Sequence, residues 1–413
     1  MIVIGLVSIY MLLAYFFWYF QIFGNLELAL YGCPIVAILA IGVHIFNRKE
    51  FIIDDYPFGI WTYFFVVVYC TITSIFVADN SLSALKSTVT FTAFVVICFI
   101  ISYISIELRS INWLLNMIIC IVLIDCIWTA ILGINQPGYG RILGANNNPN
   151  TLGVIMLLGV FSLAFRFNRN LYSSLLGLVL SLLPLYTIIR CGSRKCFIAT
   201  TLFLFLWIGS LTLSVFHNYS YGYLVLFLLG LVISGLVIGC FFYTIYLNTE
   251  LAIRMSELND ISDNSRVYLY QRAYELFKEN PFFGVGMDQY KNRAGTGGVM
   301  SHSTYAEMIA DFGIVGSFIY LMPILQSIII AIKELLIGSS KKKYQISLVL
   351  ILIGAELFLG IGQVFFFDIE HFVAWTIIYT TLWLFRSERV ASFETENTAN
   401  NLQYSNRYKY IKN

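Results

Sequence analysis

Residues 248–303 read NTELAIRMSELNDISDNSRVYLYQRAYELFKENPFFGVGMDQYKNRAGTGGVMSHS, the one long polar stretch between apolar runs in this chain. On either side the sequence supplies runs of about 20 apolar residues, the length that crosses a hydrocarbon core. Working outward, spans are expected near 2–22, 27–46, 58–76, 88–106, 112–134, 151–166, 172–190, 196–215, 222–247, 304–332, 346–367 and 371–386. The expected fold is an all-α polytopic membrane protein with about twelve transmembrane helices and one larger extracytoplasmic loop. No basic leader or small-residue cleavage site accompanies the first run, so it reads as a retained span.

Composition agrees. Of 413 residues 59% are hydrophobic and 12% charged, which excludes a soluble domain and a disordered one. A net charge of +2 provides no field for a polyanion, so no nucleic acid partner is expected. Cys33, Cys70, Cys98, Cys120, Cys126 and Cys240 lie in apolar runs, where cysteine behaves as a small hydrophobe. Cys191 and Cys196 flank Gly192-Ser193-Arg194-Lys195 but lack a nearby histidine or second cysteine pair to complete a zinc set.

Orientation follows from lysine and arginine in the short loops. With the N-terminus in the cytoplasm, Arg48, Lys49, Arg109, Arg166, Arg169, Lys333, Lys341, Lys342, Lys343, Arg386 and Arg389 fall inside. Lys86, Arg141, Arg190, Arg194 and Lys195 fall outside, together with 248–303. The chain divides into N-terminal membrane helices (1–140), a core with the outer loop (141–332), C-terminal membrane helices (333–386) and a cytoplasmic, largely disordered tail (387–413). No internal repeat is evident, which gives an inverted-repeat transporter no direct support.

Within the loop, Arg266 to Glu279 reads as a short amphipathic helix. Val267, Tyr270, Ala273, Tyr274, Leu276 and Phe277 share one face, and Arg272, Glu275 and Lys278 another. Asp263 or Ser265 is placed to cap it, Asn280-Pro281 to end it, and Gly284 and Gly286 to turn tightly. Such a helix would lie at the membrane surface.

Four residues are candidates for chemistry. His302 follows the loop and precedes the next span, with Ser301 or Ser303 placed to cap that helix. Imidazole is the usual general base near neutral pH, and the positive end of a helix favours its neutral form. Most histidines do no more than meet solvent, but His302 stands among arginines, as His44, His217 and His371 do not. Arg194 interrupts two apolar runs and Arg266 opens the loop helix; their guanidinium forks suit phosphate oxygens. Arg141 sits in an outer turn, where snorkelling to lipid headgroups is an equal alternative.

Absences narrow the chemistry. The chain has no Gly-rich phosphate loop ending in Lys-Ser/Thr, no His-Glu-x-x-His and no Asp-x-Asp clamp; Asp260 and Asp263 read as helix caps. No metal and no cofactor is therefore expected. A site of this kind would draw its driving force from the substrate, as a lipid diphosphate-linked sugar allows.

Taken in order, Arg141, Gly144, Asn148-Pro149-Asn150, Gly192-Ser193-Arg194, Asn264-Ser265-Arg266, Asn280-Pro281-Phe282-Phe283-Gly284-Val285-Gly286, Ser301-His302-Ser303-Thr304-Tyr305-Ala306-Glu307, Gly313 and Gly316 resemble the O-antigen ligase and polymerase superfamily. The likeness covers about Arg141 to Gly316, with one departure: Lys195 stands where the family often has Gly. The resemblance implies a fold related to the C-type glycosyltransferases and a metal-independent, inverting transfer at the outer face of a bacterial cytoplasmic membrane. It implies His302 as base, Arg194 and Arg266 on the diphosphate, and an undecaprenyl-diphosphate-linked oligosaccharide as donor. The acceptor reads as another lipid-linked saccharide, which makes a polymerase of O-antigen, capsule or exopolysaccharide, with membrane lipid and a chain-length regulator as further partners. The alternatives are a ligase acting on lipid A core and a lipid-linked glycan flippase.

Overall fold

The computed structural model describes residues 42, 57–135, 140–143, 148–167, 170–218, 221–256, 264–338 and 340–411. The span expected at 2–22, and that at 27–46 apart from residue 42, lie outside them. The described helices are α1 (Phe58–Phe76), α2 (Ser81–Glu107), α3 (Asn112–Leu132), α4 (Pro149–Arg166), α5 (Leu171–Cys191), α6 (Arg194–Asn218) and α7 (Tyr221–Leu247). The short α8 (Glu250–Ser256), α9 (Asn264–Glu279) and α10 (Tyr290–Arg293) follow, then α11 (Thr304–Ile337), α12 (Ser340–Gly360) and α13 (Ile369–Ile411). A two-residue hairpin, β1 (Ile134–Asn135) with β2 (Ile142–Leu143), links α3 to α4.

Among the described residues eight helices, α1 to α6, α11 and α12, are long and apolar enough to cross a membrane. In lipid every backbone polar group must be bonded internally, which a helix achieves. α7 and α13 occupy the expected spans 222–247 and 371–386 but are not among the eight. Two expectations are corrected. The run 346–367 leaves the helix at Gly360, and residues 361–368 form a loop with a 3-10 turn at Phe365–Phe367. The tail past Arg386, expected to be disordered, continues α13 as helix to Ile411. Near its start, Arg389 pairs with the buried Glu334, and Glu388 with Lys342.

α4 is the centre, packed against α3, α5, α6, α12 and α13. Every side chain from Thr151 to Phe165 is buried. Close approach needs small residues: a methyl on Gly153 would meet Cys196 Sγ at 2.7 Å, and one on Gly159 would meet Val122 at 2.6 Å. Hydroxyls tie other helices together, as in Ser74–Thr88 (3.0 Å), Ser102–Thr380 (2.9 Å) and Trp207 Nε1 donating to the Tyr344 hydroxyl (2.6 Å). Each contributes about 0.6 kcal/mol.

The loops that follow α1, α3, α5, α7 and α12 gather on one face. Asn80 N donates to Gln289 Oε1 (3.2 Å), Asp79 pairs with Arg293, and Ser87 donates to Asp288. Arg141 reaches Cys191, Arg254 reaches Gly192, and Tyr270 reaches Ile361.

The loop meets the membrane helices at a break in α11. Gly313 leaves helical geometry (φ 61°, ψ −164°), which frees backbone groups on both sides of it. Asn280–Gly286 takes them up: Ile314 N donates to Pro281 O (2.8 Å) and Val315 N to Phe282 O (3.1 Å). Val285 N donates to Ala310 O (2.9 Å) and Gly286 N to Asp311 O (3.0 Å). The buried Asp311 carboxylate accepts from Asp288 N (2.9 Å) and Tyr290 N (2.8 Å), and the Tyr69 hydroxyl reaches Phe283 O and Phe312 O. The exposed apolar side chains of α11 begin at Ile314 and run to Ile337. That length, roughly 36 Å at 1.5 Å per residue, suffices for the hydrocarbon core, so Thr304–Phe312 rises beyond it.

Gly284 and Gly313 have positive φ, and each touches the other's backbone. A methyl on Gly284 would overlap Asp311 O, and one on Gly313 would stand 2.5 Å from Gly284 N. Gly284→Ala or Gly313→Ala should therefore destabilise the protein by several kcal/mol, from left-handed strain of about 1–2 kcal/mol plus the clash. Thermal unfolding in detergent measures this. Gly297→Ala, also at positive φ but with open space around it, should show the strain alone.

Candidate active site

His302 occupies a turn whose shape is imposed from behind. Ser303 caps α11, its Oγ accepting from Ala306 N (3.4 Å), as the sequence suggested. One turn into the helix, the buried Glu307 reaches back: its Oε2 accepts from Ser301 N (2.8 Å) and Ser301 Oγ (2.8 Å). Ser301 Oγ in turn accepts from Ser303 N (3.1 Å). With Ser301 and Ser303 buried, the backbone at His302 takes left-handed geometry (φ 58°) and its side chain stands exposed between them. A non-glycine residue in that region costs about a kilocalorie, which Glu307 and the serines oppose. Crowding around the imidazole lowers its pKa from the ordinary value, and the charges of Lys195 and Arg266 lower it further.

The cations come from four elements. Gly192, in left-handed geometry (φ 65°), ends α5 and lets α6 begin at Arg194 two residues later. Arg141 crosses this corner, with Nε donating to Cys191 O (2.8 Å) and Nη2 to Asn150 Oδ1 (3.2 Å). Arg254, on α8, donates to Gly192 O (2.5 Å), and Arg194 donates to Arg254 O (2.9 Å). Burial and then neighbouring cations pull Arg141 and Arg254 down from the usual arginine pKa; Arg254 acts on Arg141, while Arg194 and Arg266 act on Arg254. The named acid opposing them is Glu250. A cleft of roughly 490 Å³ is lined by Gly140, Arg190, Asn248, Thr249, Glu250 and Ile253. Among the described residues no group of three His, Cys, Asp or Glu could hold a metal ion.

The structure thus brings His302 and Arg266 together, places Arg194 with Arg254 and Lys195, and holds Arg141 at the α5 corner. Sequence reading passed over Arg254, because it stands in the apolar run Leu251-Ala252-Ile253-Arg254-Met255; its place in the polar segment was the available signal. Lys195, read as an outer-loop cation and a departure but not as a site residue, bears with Arg266 on His302. The face of α9 is also corrected. Leu269, Ala273 and Leu276 are its buried stripe, whereas Val267 and Tyr274 face outward. α9 sits on the raised part of α11, and its inner stripe meets Val285, Tyr290 and Ala310 there. Asp263, one of its expected caps, lies outside the described residues.

The chain is a membrane-embedded helical bundle with arginines around a histidine on one face, and part of it is similar to a known family. A family model described as O-Antigen ligase matches residues 176–321, from within α5 to within α11. The match supports assigning the chain to the O-antigen ligase/polymerase superfamily and implies a glycosyltransferase-type enzyme. It includes Arg194, Arg254, Arg266 and His302 and stops short of Arg141. No curated protein matches the chain.

If Glu307 fixes the His302 turn, Glu307→Ala should lower kcat for glycan transfer about 100-fold with little change in donor KM, since a displaced base costs orientation. Glu307→Gln keeps an acceptor for Ser301 and should retain most activity. Steady-state kinetics on purified variants of equal thermal stability checks both.

Proposed function

We propose that this protein transfers an undecaprenyl-diphosphate-linked glycan to a saccharide hydroxyl at the outer face of the cytoplasmic membrane, without a metal. What carries the reading is the exposed His302, pinned in a left-handed turn and faced by Arg266 and Lys195 beside the Arg194–Arg254 pair. Neutral His302 takes the proton of the acceptor hydroxyl as its oxygen attacks the anomeric carbon. The bond from that carbon to the diphosphate oxygen breaks on the opposite side, inverting the centre. Undecaprenyl diphosphate departs as an anion, met by Arg194 and Arg266 with Arg141 and Arg254 beside them. His302 then returns its proton to water.

The acceptor separates two readings. We favour a polymerase, in which it is a second lipid-linked repeat unit; the alternative is a ligase, in which it is lipid A core, and the family match is compatible with either. Deleting the gene decides: loss of a polymerase leaves single-repeat glycans at the surface, and loss of a ligase leaves long glycans on undecaprenyl diphosphate. A flippase would need charged groups lining a cavity at mid-membrane. Here Glu356 instead pairs with His371, both buried.

With purified protein and a lipid-diphosphate donor in chelator, His302→Ala should nearly abolish transfer while leaving donor binding largely intact. Arg266→Lys and Arg194→Lys should each give a partial defect, keeping charge but losing the fork. Full activity in stable His302→Ala protein would remove the base from this scheme. Because its pKa is lowered, the acid limb of kcat/KM should lie below the ordinary imidazole value of about 6.5.

Sidedness is tested separately. A cysteine at Asn292, in α10, should react with an impermeant thiol reagent in intact cells; labelling only after lysis would reverse the topology.

A further inference from the structure

Lys195 lies on a shelf that is built into the same frame as the base. Its side chain crosses Gly362, where any Cβ would overlap Cε and Nζ and stand 2.8 Å from Cδ. That shelf is the loop 361–368. Its Gln363 O accepts from Thr304 N (2.9 Å) and Thr304 Oγ1 (2.6 Å), and Phe365 N donates to Thr304 Oγ1 (3.0 Å). Thr304 is two residues past His302. The same loop accepts from the Tyr270 hydroxyl at Ile361 O (3.3 Å), four residues past Arg266. One loop thus carries the Lys195 side chain across Gly362 and bonds the residues two past His302 and four past Arg266. Around Lys195 stand Arg266, Arg194 and Arg254, all of like charge.

We propose that Lys195 couples the filling of the anion site to the strength of the base: unpaired, its ammonium bears on the His302 imidazole, and paired with a diphosphate it does so no longer. The inference rests on the reading of His302 as base and of the cluster as an anion site.

The charges bearing on His302 can be followed element by element. From α6 comes Lys195 and from α9 Arg266, with Lys195 the larger of the two effects. On α11, Glu307 lies behind the turn and is bonded to Ser301, and the Tyr305 hydroxyl donates to Leu357 O. On the shelf, Asp368 accepts from Gln363 Nε2 (3.0 Å). With the site empty, the ammonium opposes protonation of His302 and keeps it available as a base, though a weak one. A bound diphosphate cancels that charge and adds its own. The imidazole then binds a proton more tightly once donor is in place, when the acceptor proton must be taken.

The test reads His302 directly. The chain has four histidines, so ring-labelled histidine in detergent-solubilised protein gives few signals, and His302→Gln assigns the one that matters. Lys195→Met should raise the His302 titration midpoint by about half to one pH unit, the size of one nearby surface charge. Lys195→Arg should hold the wild-type midpoint. Inorganic pyrophosphate, at a concentration that saturates its own phosphorus signal, should raise the midpoint in wild type and do so much less in Lys195→Met. An unchanged midpoint in Lys195→Met, an equal pyrophosphate response in both proteins, or no pyrophosphate binding by wild type overturns the proposal. The failure of the broader reading looks different: full transfer activity in His302→Ala removes the base, whatever the titration shows.

Discussion

The candidate site depends on one exchange of backbone hydrogen bonds, between Pro281–Gly286 and Ala310–Val315. A helix inside a membrane has no spare donors or acceptors, because each N–H is spent four residues back. α11 acquires them by breaking at Gly313. The loop fills the gap with its own backbone, so the polar segment is fastened to a membrane helix by main-chain bonds and by the Asp311 carboxylate. Side-chain packing alone would allow the loop to slide; a two-glycine backbone contact admits one register. From that joint the raised part of α11 carries Thr304 and the His302 turn, and α9 packs against it carrying Arg266.

A second constraint governs the charge. Clustered arginines are usually neutralised by carboxylates, and a cluster so treated has little left for a ligand. Here the guanidinium bonds go to backbone carbonyls instead: Arg141 to Cys191 O, Arg254 to Gly192 O, Arg194 to Arg254 O. Carbonyls hold the side chains in place and use some of their donors without cancelling the charge. Two of the three acceptors lie at the C-terminal end of α5, where unpaired carbonyls and the helix dipole already favour a cation. The geometry thus combines fixed positions with a retained positive field, the property needed to stabilise a departing diphosphate.

Much of this was legible in the sequence, and the reasons for the rest are specific. Apolar runs placed α1 to α6, and Gly192-Ser193 marked the corner between α5 and α6, because hydropathy and glycine geometry are local. The turn at Gly284 and Gly286 was also local. Its partner was not: nothing near Gly313 announces that a segment about 30 residues earlier completes it. Arg254 was hidden by apolar neighbours, and the stripe of α9 was misread at Val267 and Tyr274 because exposed aromatic and aliphatic groups are permitted beside lipid. The end of α12 was placed seven residues too late because Ile361-Gly362-Gln363-Val364-Phe365-Phe366-Phe367 is apolar enough to pass for membrane helix.

That last segment shows why a membrane bundle would bury a polar pair. Glu356 near the end of α12 and His371 near the start of α13 meet at 2.6 Å, with the Phe365 ring stacked on the imidazole. Removing such a pair from water is costly, and a pair of apolar side chains would often be as stable. Its location supplies the reason. The two residues flank the loop 361–368, and their contact closes the ends of the helices from which that loop springs. The loop is anchored by Gln363–Asp368 and by the buried Val364, Phe365 and Phe366, and it bonds Thr304, Tyr270 and, through Gly362, bears Lys195. An apolar pair would close the helix ends equally well but would tolerate sliding; a directional hydrogen bond of 2.6 Å does not. Like the joint at Gly313, it spends stability on position, and both fix the same few side chains at one face of the bundle.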